Sequence, residues 1–180
     1  LGCVTNPLYS RHTFAKGTFM TVSEFNNAVD TYSDGLYRFA LKMTEDEEEA
    51  RDIVQEVFIR VWEKRGSIDG NKVKSYLFTS VHHLCIDILR RHRNHKSLDD
   101  IEEEPIIEPR NYTGLNKLLD AILKQLPPVQ RAVLMFRDYE GYTYEEIGQL
   151  TGLSESQVKV YIYRARLAVK KKIESLEHVI

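Results

Sequence analysis

TYEEIGQLTGLSESQVKVYIYRARLAVKKK, residues 143–172, decides the fold. Thr143 followed by Glu146 has capping-box spacing: the hydroxyl accepts an amide three residues on, and the glutamate reaches back. Ile147 and Leu150 are the apolar positions of a short helix. The next four residues, 151–154, read as a tight turn, in which Gly152 suits a left-handed backbone and Leu153 plugs a core. Ser154 and Gln157 repeat the capping-box spacing, so a second helix starts at once. Its inward face is Val158, Ile162, Ala165 and Val169, spaced four, three, four. The other faces carry Lys159, Tyr163, Arg164, Arg166, Lys170, Lys171 and Lys172, opposed by Glu155. Two caps, a four-residue turn and a basic second helix make a helix-turn-helix, a unit whose second helix enters the major groove of duplex DNA. Ser156, Gln157, Lys159 and Val160 lie near its start, within reach of base edges. Arg164 reaches bases or phosphates, and the three terminal lysines suit phosphates or water. The bland alternative is a helical hairpin with a basic solvated face. Alone, the unit says no more than that DNA is bound.

Upstream of it the helical period continues. Val129, Val133 and Phe136 carry a helix that Pro127-Pro128 starts and Gly141 closes. Leu115, Leu118, Leu119, Ile122, Leu123 and Leu126 form the apolar stripe before it. Residues 99–108 hold six acids and no base, with Pro105 inside and Pro109 just after, which disfavours a packed helix and reads as a linker. Before the linker lie three more helical patterns. The first runs through Phe25, Val29, Tyr32, Leu36 and Phe39. The second, over about 46–64, carries Ala50, Ile53, Val54, Val57, Phe58, Val61 and Trp62. The third carries Leu77, Phe78, Val81, Leu84, Cys85, Ile88 and Leu89, and ends in Arg90, Arg91, His92 and Arg93. A polar break with two glycines, 66–74, separates the last two. No strand pattern and no repeat is evident. The expected fold is all-α: two small helical domains, 20–96 and 114–176, joined by a flexible acidic linker, 97–113. Amphipathic patterning begins just after Met20, which reads as the natural start; residues 1–19 are then a disordered upstream extension or, alternatively, a flexible arm.

Composition bounds the function. The 180 residues have a formal net charge of only -2, so any nucleic-acid surface depends on segregated charge, not on the sum. Two cysteines, Cys3 and Cys85, make no disulfide framework, and a reducing cytosol is the default compartment. No apolar run approaches the ~20 residues that span a bilayer, so no membrane insertion is expected. On the second helix, Asp52, Glu56, Ile59 and Glu63 form a stripe opposite the apolar face, with Gln55 beside it. An exposed isoleucine among acids is a candidate docking surface for a basic helix of another protein. A solvated acidic face is the commoner fate of such a stripe. The basic end of the third helix favours that helix through its dipole, or serves as a phosphate track.

Three motifs add up to a resemblance. DIVQEVFIRVW (52–62) resembles the core-polymerase-binding helix of bacterial sigma factors. YLFTSVHHLCIDILRR (76–91) resembles their promoter-opening, minus-ten-recognition helix. LPPVQRAVL (126–134), GYTYEEIG (141–148) and VKVYIYRAR (158–166) resemble their minus-thirty-five-reading domain. The chain is thereby identified as a member of the sigma-70 family, in its extracytoplasmic-function (ECF) group, similar in style to members from Bacteroidetes; the match covers about 22–174. The resemblance implies a sigma factor that binds core RNA polymerase and directs promoter-specific transcription initiation. Docking would fall to Asp52, Gln55, Glu56, Ile59 and Trp62, although the place of Trp62 on the apolar face gives it a core role too. Minus-ten DNA would meet Asn71, Lys72, His83, Asp87, Arg90 and Arg91. The break at 66–74 would be the loop that captures a flipped base, whose unstacking costs a few kcal/mol. His83 stands where many members have asparagine, a departure that puts the family's minus-ten preference in doubt for this chain. Minus-thirty-five DNA would meet Ser156, Gln157, Lys159, Val160, Tyr163 and Arg164. The acidic linker would thread toward the RNA exit path. Core RNA polymerase and promoter DNA are the implied partners, and an anti-sigma factor is a candidate one.

Two rival readings stand beside this. His82, His83, Cys85, His92 and His95 would be the ligands of a small metal enzyme, but His82 and His83 point to different helix faces, Cys85 fits the apolar face and no second ligand cluster completes a tetrahedral site. With no Gly-rich phosphate loop and no nucleophile–base constellation either, no enzymatic activity, cofactor or metal is expected. The other rival is a helix-turn-helix transcriptional regulator that acts without core polymerase. Contact of Asp52, Gln55 and Glu56 with polymerase discriminates the two.

Overall fold

The computed structural model describes residues 20–95 and 112–177. Every regular element among them is helical. In chain order these are α1 (Val22–Thr44), α2 (Glu47–Lys64), two short 3-10 turns (Arg65–Ser67 and Gly70–Lys72), α3 (Val73–His95), α4 (Tyr112–Lys124), α5 (Pro128–Asp138), α6 (Tyr144–Thr151) and α7 (Glu155–Glu177). The extension 1–19 and linker residues 97–111 lie outside the described residues; 112 and 113 open α4.

The helix ends follow local chemistry. Thr21 caps α1 in a full capping box: its hydroxyl accepts from the Glu24 amide (3.2 Å), and its own amide donates to Glu24 Oε2 (2.7 Å). Those bonds hold the Glu24 carboxyl below its ordinary range. Asp46 caps α2 through Oδ1 (2.9 Å to the Glu49 amide). Between α2 and α3, the 66–74 break is tighter than a loop. Ile68 is buried and accepts from the Met20 amide (3.3 Å), and Val73 and Lys74 already belong to α3. Pro128 stands at the first position of α5, where its missing N–H costs nothing.

α1, α2 and α3 pack on one another around Leu36, Ile53, Val57, Val61, Leu77 and Val81, with Cys85 buried among them. Burial pushes the Cys85 thiol up to about 12, so it behaves as a small apolar group. α5, α6 and α7 pack around Val133, Ile147, Leu150, Val158 and Ile162, and α4 closes that unit with Leu123, Leu126, Leu134 and Ala165.

The two helical units are those read from the sequence, but they do not stand apart: one apolar cluster runs through both. Phe39 of α1 stacks on Phe136 of α5 (centroids 4.7 Å apart, 18° between planes). Phe78 of α3 meets Phe136 and Tyr142 edge-on, at 6.2 and 5.8 Å. Arg131 of α5, only 5% exposed, crosses the seam. It donates to the carbonyls of Lys42 (3.0 Å) and Met43 (3.1 Å), to Glu45 Oε1 (3.0 Å), and on its own side to the carbonyl of Lys124 (2.7 Å).

Candidate polymerase and promoter surfaces

On α2 the inward residues Ala50, Ile53, Val57 and Val61 are buried, which leaves Asp52, Gln55, Glu56 and Ile59 outside. Ile59 is 45% exposed beside an ion pair between Glu56 and Arg60 (2.7 Å). Trp62 is 39% exposed, so part of its ring packs inward and part faces water. One ring face meets Phe25 at 5.0 Å; the Arg65 guanidinium lies 4.1 Å from the ring centroid and donates to the Trp62 carbonyl (2.8 Å). Sequence reasoning missed Arg65, whose signal is its position three residues after an exposed aromatic. A groove between α2 and α3 joins Asp52 and Glu56 to Arg91 and His92 across a floor of Ile53, Leu84 and Ile88. His92 Nε2 pairs with Glu49 there (3.0 Å).

Asn71 and Lys72 sit on the second 3-10 turn, which Asp69 caps through the Asn71 amide (3.0 Å). A Cβ at Gly70 would lie 3.3 Å from Glu24 Oε1, a tight contact that a small shift of that carboxylate relieves. His83, Asp87, Arg90 and Arg91 are exposed along α3, and Asp87 pairs with Arg90 (3.3 Å). His82, one residue before His83, is buried with neither ring nitrogen partnered. Burial first, and His83 second, lower its pKa to about 4, so it is neutral. Among the described residues no group of three or more His, Cys, Asp or Glu is placed to hold a metal.

The helix-turn-helix forms as its caps require. Thr143 and Glu146 make both capping-box bonds, and Gly152 takes φ +73°. Gly148 permits the turn to close, since a Cβ would lie 2.8 Å from the Leu153 carbonyl oxygen. Ser154 and Gln157 make the second box: the Ser154 amide donates to Gln157 Oε1 (2.9 Å), and the Gln157 amide donates to Ser154 Oγ (3.3 Å). The Gln157 carbonyl oxygen is thus engaged in the cap, and its NH2 group is what remains for a base. On the outer face, Ser156, Val160, Tyr163 (67% exposed) and Arg164 face water. The basic face is less free than its sequence implies. Lys159 pairs with Glu155 (2.6 Å), which holds its ammonium above the ordinary lysine range. Arg166 turns back to Asp138, and Lys170 pairs with Glu174.

All seventeen side chains read from the sequence as polymerase or promoter contacts are exposed: mainly acidic and apolar on α2, mixed on the second 3-10 turn and α3, and largely polar or basic on α7. A helix-turn-helix joined to a second three-helix unit defines a DNA-reading protein with more than one working part. Residues 28–95 match the family Sigma-70 region 2, and residues 116–169 match Sigma-70, region 4. The ECF RNA polymerase sigma factor SigM of Bacillus subtilis (strain 168) is 28% identical over 156 residues, covering 84% of this chain and 94% of that protein. The ECF RNA polymerase sigma factor SigX of the same organism is 27% identical over 165 residues, covering 84% of each. The sigma factor RpoE of Bartonella quintana, solved in complex with the anti-sigma factor NepR, superposes with a TM-score of 0.71 at 25% identity, over 85% of this chain and 98% of that one. The chain belongs to the sigma-70 family and is an ECF sigma factor. It binds core RNA polymerase and directs promoter-specific initiation.

Proposed function

We propose a division of this work among three faces. Asp52, Gln55, Glu56, Ile59 and Trp62 dock on core RNA polymerase. Asn71, Lys72, His83, Asp87, Arg90 and Arg91 meet the minus-ten element. Ser156, Gln157, Lys159, Val160, Tyr163 and Arg164 meet the minus-thirty-five element. The observation that carries this reading is the sorting of chemistry by face: acids around exposed Ile59 and Trp62 suit a basic protein surface, and Lys159 and Arg164 at the start of α7 suit a groove. Asp87 is the exception, and its pairing with Arg90 leaves that arginine's charge partly offset until DNA arrives. An anti-sigma protein is a further proposed partner, since the solved RpoE that this chain resembles over most of its length is bound to one. The cytoplasm is the proposed location; among the described residues no helix is long and apolar enough to cross a membrane.

The test is transcription in vitro with core polymerase over a promoter library, comparing wild type with Glu56→Lys. Reversing one charge in a desolvated interface costs a few kcal/mol, so output should fall roughly tenfold or more while the helical circular dichroism stays unchanged. Equal co-elution with core and equal transcription by the variant would overturn the docking face.

A further inference from the structure

Three capping boxes open helices among the described residues, and they are not alike. At α1 and α6 a glutamate closes the box. Glu24 Oε2 accepts from the Thr21 amide (2.7 Å) and hydroxyl (2.9 Å), and Glu146 Oε2 accepts from the Thr143 amide and hydroxyl (both 2.8 Å). What each leaves over is a second carboxylate oxygen. At α7 the same place is held by Gln157. Its Oε1 accepts from the Ser154 amide (2.9 Å) and from the Ser154 hydroxyl (3.0 Å). A backbone N–H can only donate, so the carboxamide cannot be turned the other way round. Both lone pairs of the oxygen are engaged. What Gln157 leaves over is its NH2 group, two donors with no acceptor beside them.

This lock changes what the side chain can read. Gln157 is exposed on the first turn of α7, among the residues that face a groove. Freeing its oxygen would exchange two hydrogen bonds at the helix start for one to a base, so the cap holds when DNA is met. A glutamine with both ends free pairs with adenine, accepting from N6 and donating to N7. With the oxygen held in the cap, nothing remains to accept from N6. Guanine presents two neighbouring acceptors, N7 and O6. Adenine and thymine present one each, N7 and O4, and cytosine presents only the N4 donor. The choice of glutamine over glutamate at this one box fits the same surface: a carboxylate here would set a negative oxygen toward base acceptors and phosphates.

We propose that Gln157, held donor-only by Ser154, reads a guanine in the minus-thirty-five element, rejecting cytosine most strongly and adenine and thymine less. The proposal rests on the reading of α7 as the helix that meets that element. Ser154 is a positioning residue in it: it touches the cap, and through the cap decides which end of Gln157 faces the base.

Transcription in vitro by the full chain with core RNA polymerase, over a promoter library randomised across the minus-thirty-five region, gives base preference position by position. Preference is a ratio, so a uniform loss of activity cancels. The wild type should show a position at which guanine exceeds cytosine by about fivefold or more, with adenine and thymine between. Gln157→Glu keeps the box, as glutamate does at α1 and α6, and exchanges the two donors for an acceptor. It should invert the preference at that position from guanine to cytosine. Ser154→Ala leaves one lone pair of Gln157 Oε1 free and should raise adenine toward guanine there, a change that loss of helix stability alone would not produce. If Ser154→Ala disturbs the helical circular dichroism, Gln157→Glu decides alone. An adenine or cytosine preference that depends on Gln157 would overturn the assignment, and an unmoved adenine share in a folded Ser154→Ala would overturn the lock. If Gln157→Glu changes no preference while Lys159→Ala or Arg164→Ala does, α7 still reads the element and this assignment alone falls. If all three change none, the minus-thirty-five reading of α7 falls with it.

Discussion

The inner wall of α2 and the seam between the two halves are both buried, and they are built differently. Ala50, Ile53, Val57 and Val61 line α2 inward with apolar side chains, and a buried unpartnered polar atom of α2, Glu49 Oε2, lies at its first turn. The seam sets Phe39, Phe78 and Phe136 beside Arg131, His82 and Tyr142. Burial desolvates all three of the latter: it lowers the pKa of Arg131, against the raising effect of Glu45, lowers that of His82, and raises that of the Tyr142 hydroxyl. An apolar wall loses its full transfer free energy if it is opened. A seam with unpaired polar atoms recovers hydration on opening, so its net hold is smaller than its aromatic area implies. The difference teaches where a small helical protein keeps its fold and where it keeps its freedom.

The largest expected effect probes the wall. Ile53→Ala should cost about 2–5 kcal/mol in urea unfolding, through lost transfer and a residual cavity. Polymerase binding should fall with it, because α2 carries the docking face as well. A loss below about 1 kcal/mol, less than a buried isoleucine truncation ordinarily costs, would erase the distinction between wall and seam.

Much of this was legible in sequence. Apolar residues at threes and fours gave every helix, and Thr143, Gly152 and Ser154 gave the turn of the helix-turn-helix because caps are local chemistry. Exposure of the candidate contacts was legible as well, since a stripe opposite an apolar one faces outward. The seam was not. Pairing of Phe39 with Phe136 joins positions 97 residues apart, and helical period marks both as core without saying which core. Nothing within LPPVQRAVL sets Arg131 apart, because two of the carbonyls that receive it belong to the end of α1. Side-chain pairings escaped for the same reason: the turn of Arg166 toward Asp138 depends on how α7 crosses α5.

A smaller effect should appear on acidification. His82 has a folded pKa of about 4 against 6.5 ordinarily, because burial penalises the imidazolium and neighbouring His83 adds to the penalty. With the folded value depressed, the unfolded chain takes up the proton first. The neutral ring's contribution is therefore complete above pH 6.5 and is lost as pH falls toward 4. Across that window the wild type should lose up to roughly 3 kcal/mol more stability than His82→Leu, at 1.36 kcal/mol per unit. Carboxylates titrate alike in both proteins, so the difference between the two curves isolates the ring. Parallel curves from pH 7 to 4 would mean that water reaches His82 already, and that the seam is looser than its packing.

The smallest effect tests whether charge on the reading helix is held in reserve. Arg166 donates from Nε to Asp138 Oδ2 (3.2 Å) and forms a second bond through Nη2, both half-exposed. A pair this open contributes at most about 1 kcal/mol, so Asp138→Asn should scarcely move the melting temperature. It does free a guanidinium beside the helix-turn-helix. If that group then meets a phosphate, the slope of log affinity against log salt for duplex binding should steepen by about 0.9, with little change in sequence preference. The comparison between faces sharpens accordingly. An unchanged slope would assign Arg166 to the packing of α7 on α5, and leave Lys159, Tyr163 and Arg164 as the DNA face; a steeper one would extend that face to the next turn of the helix.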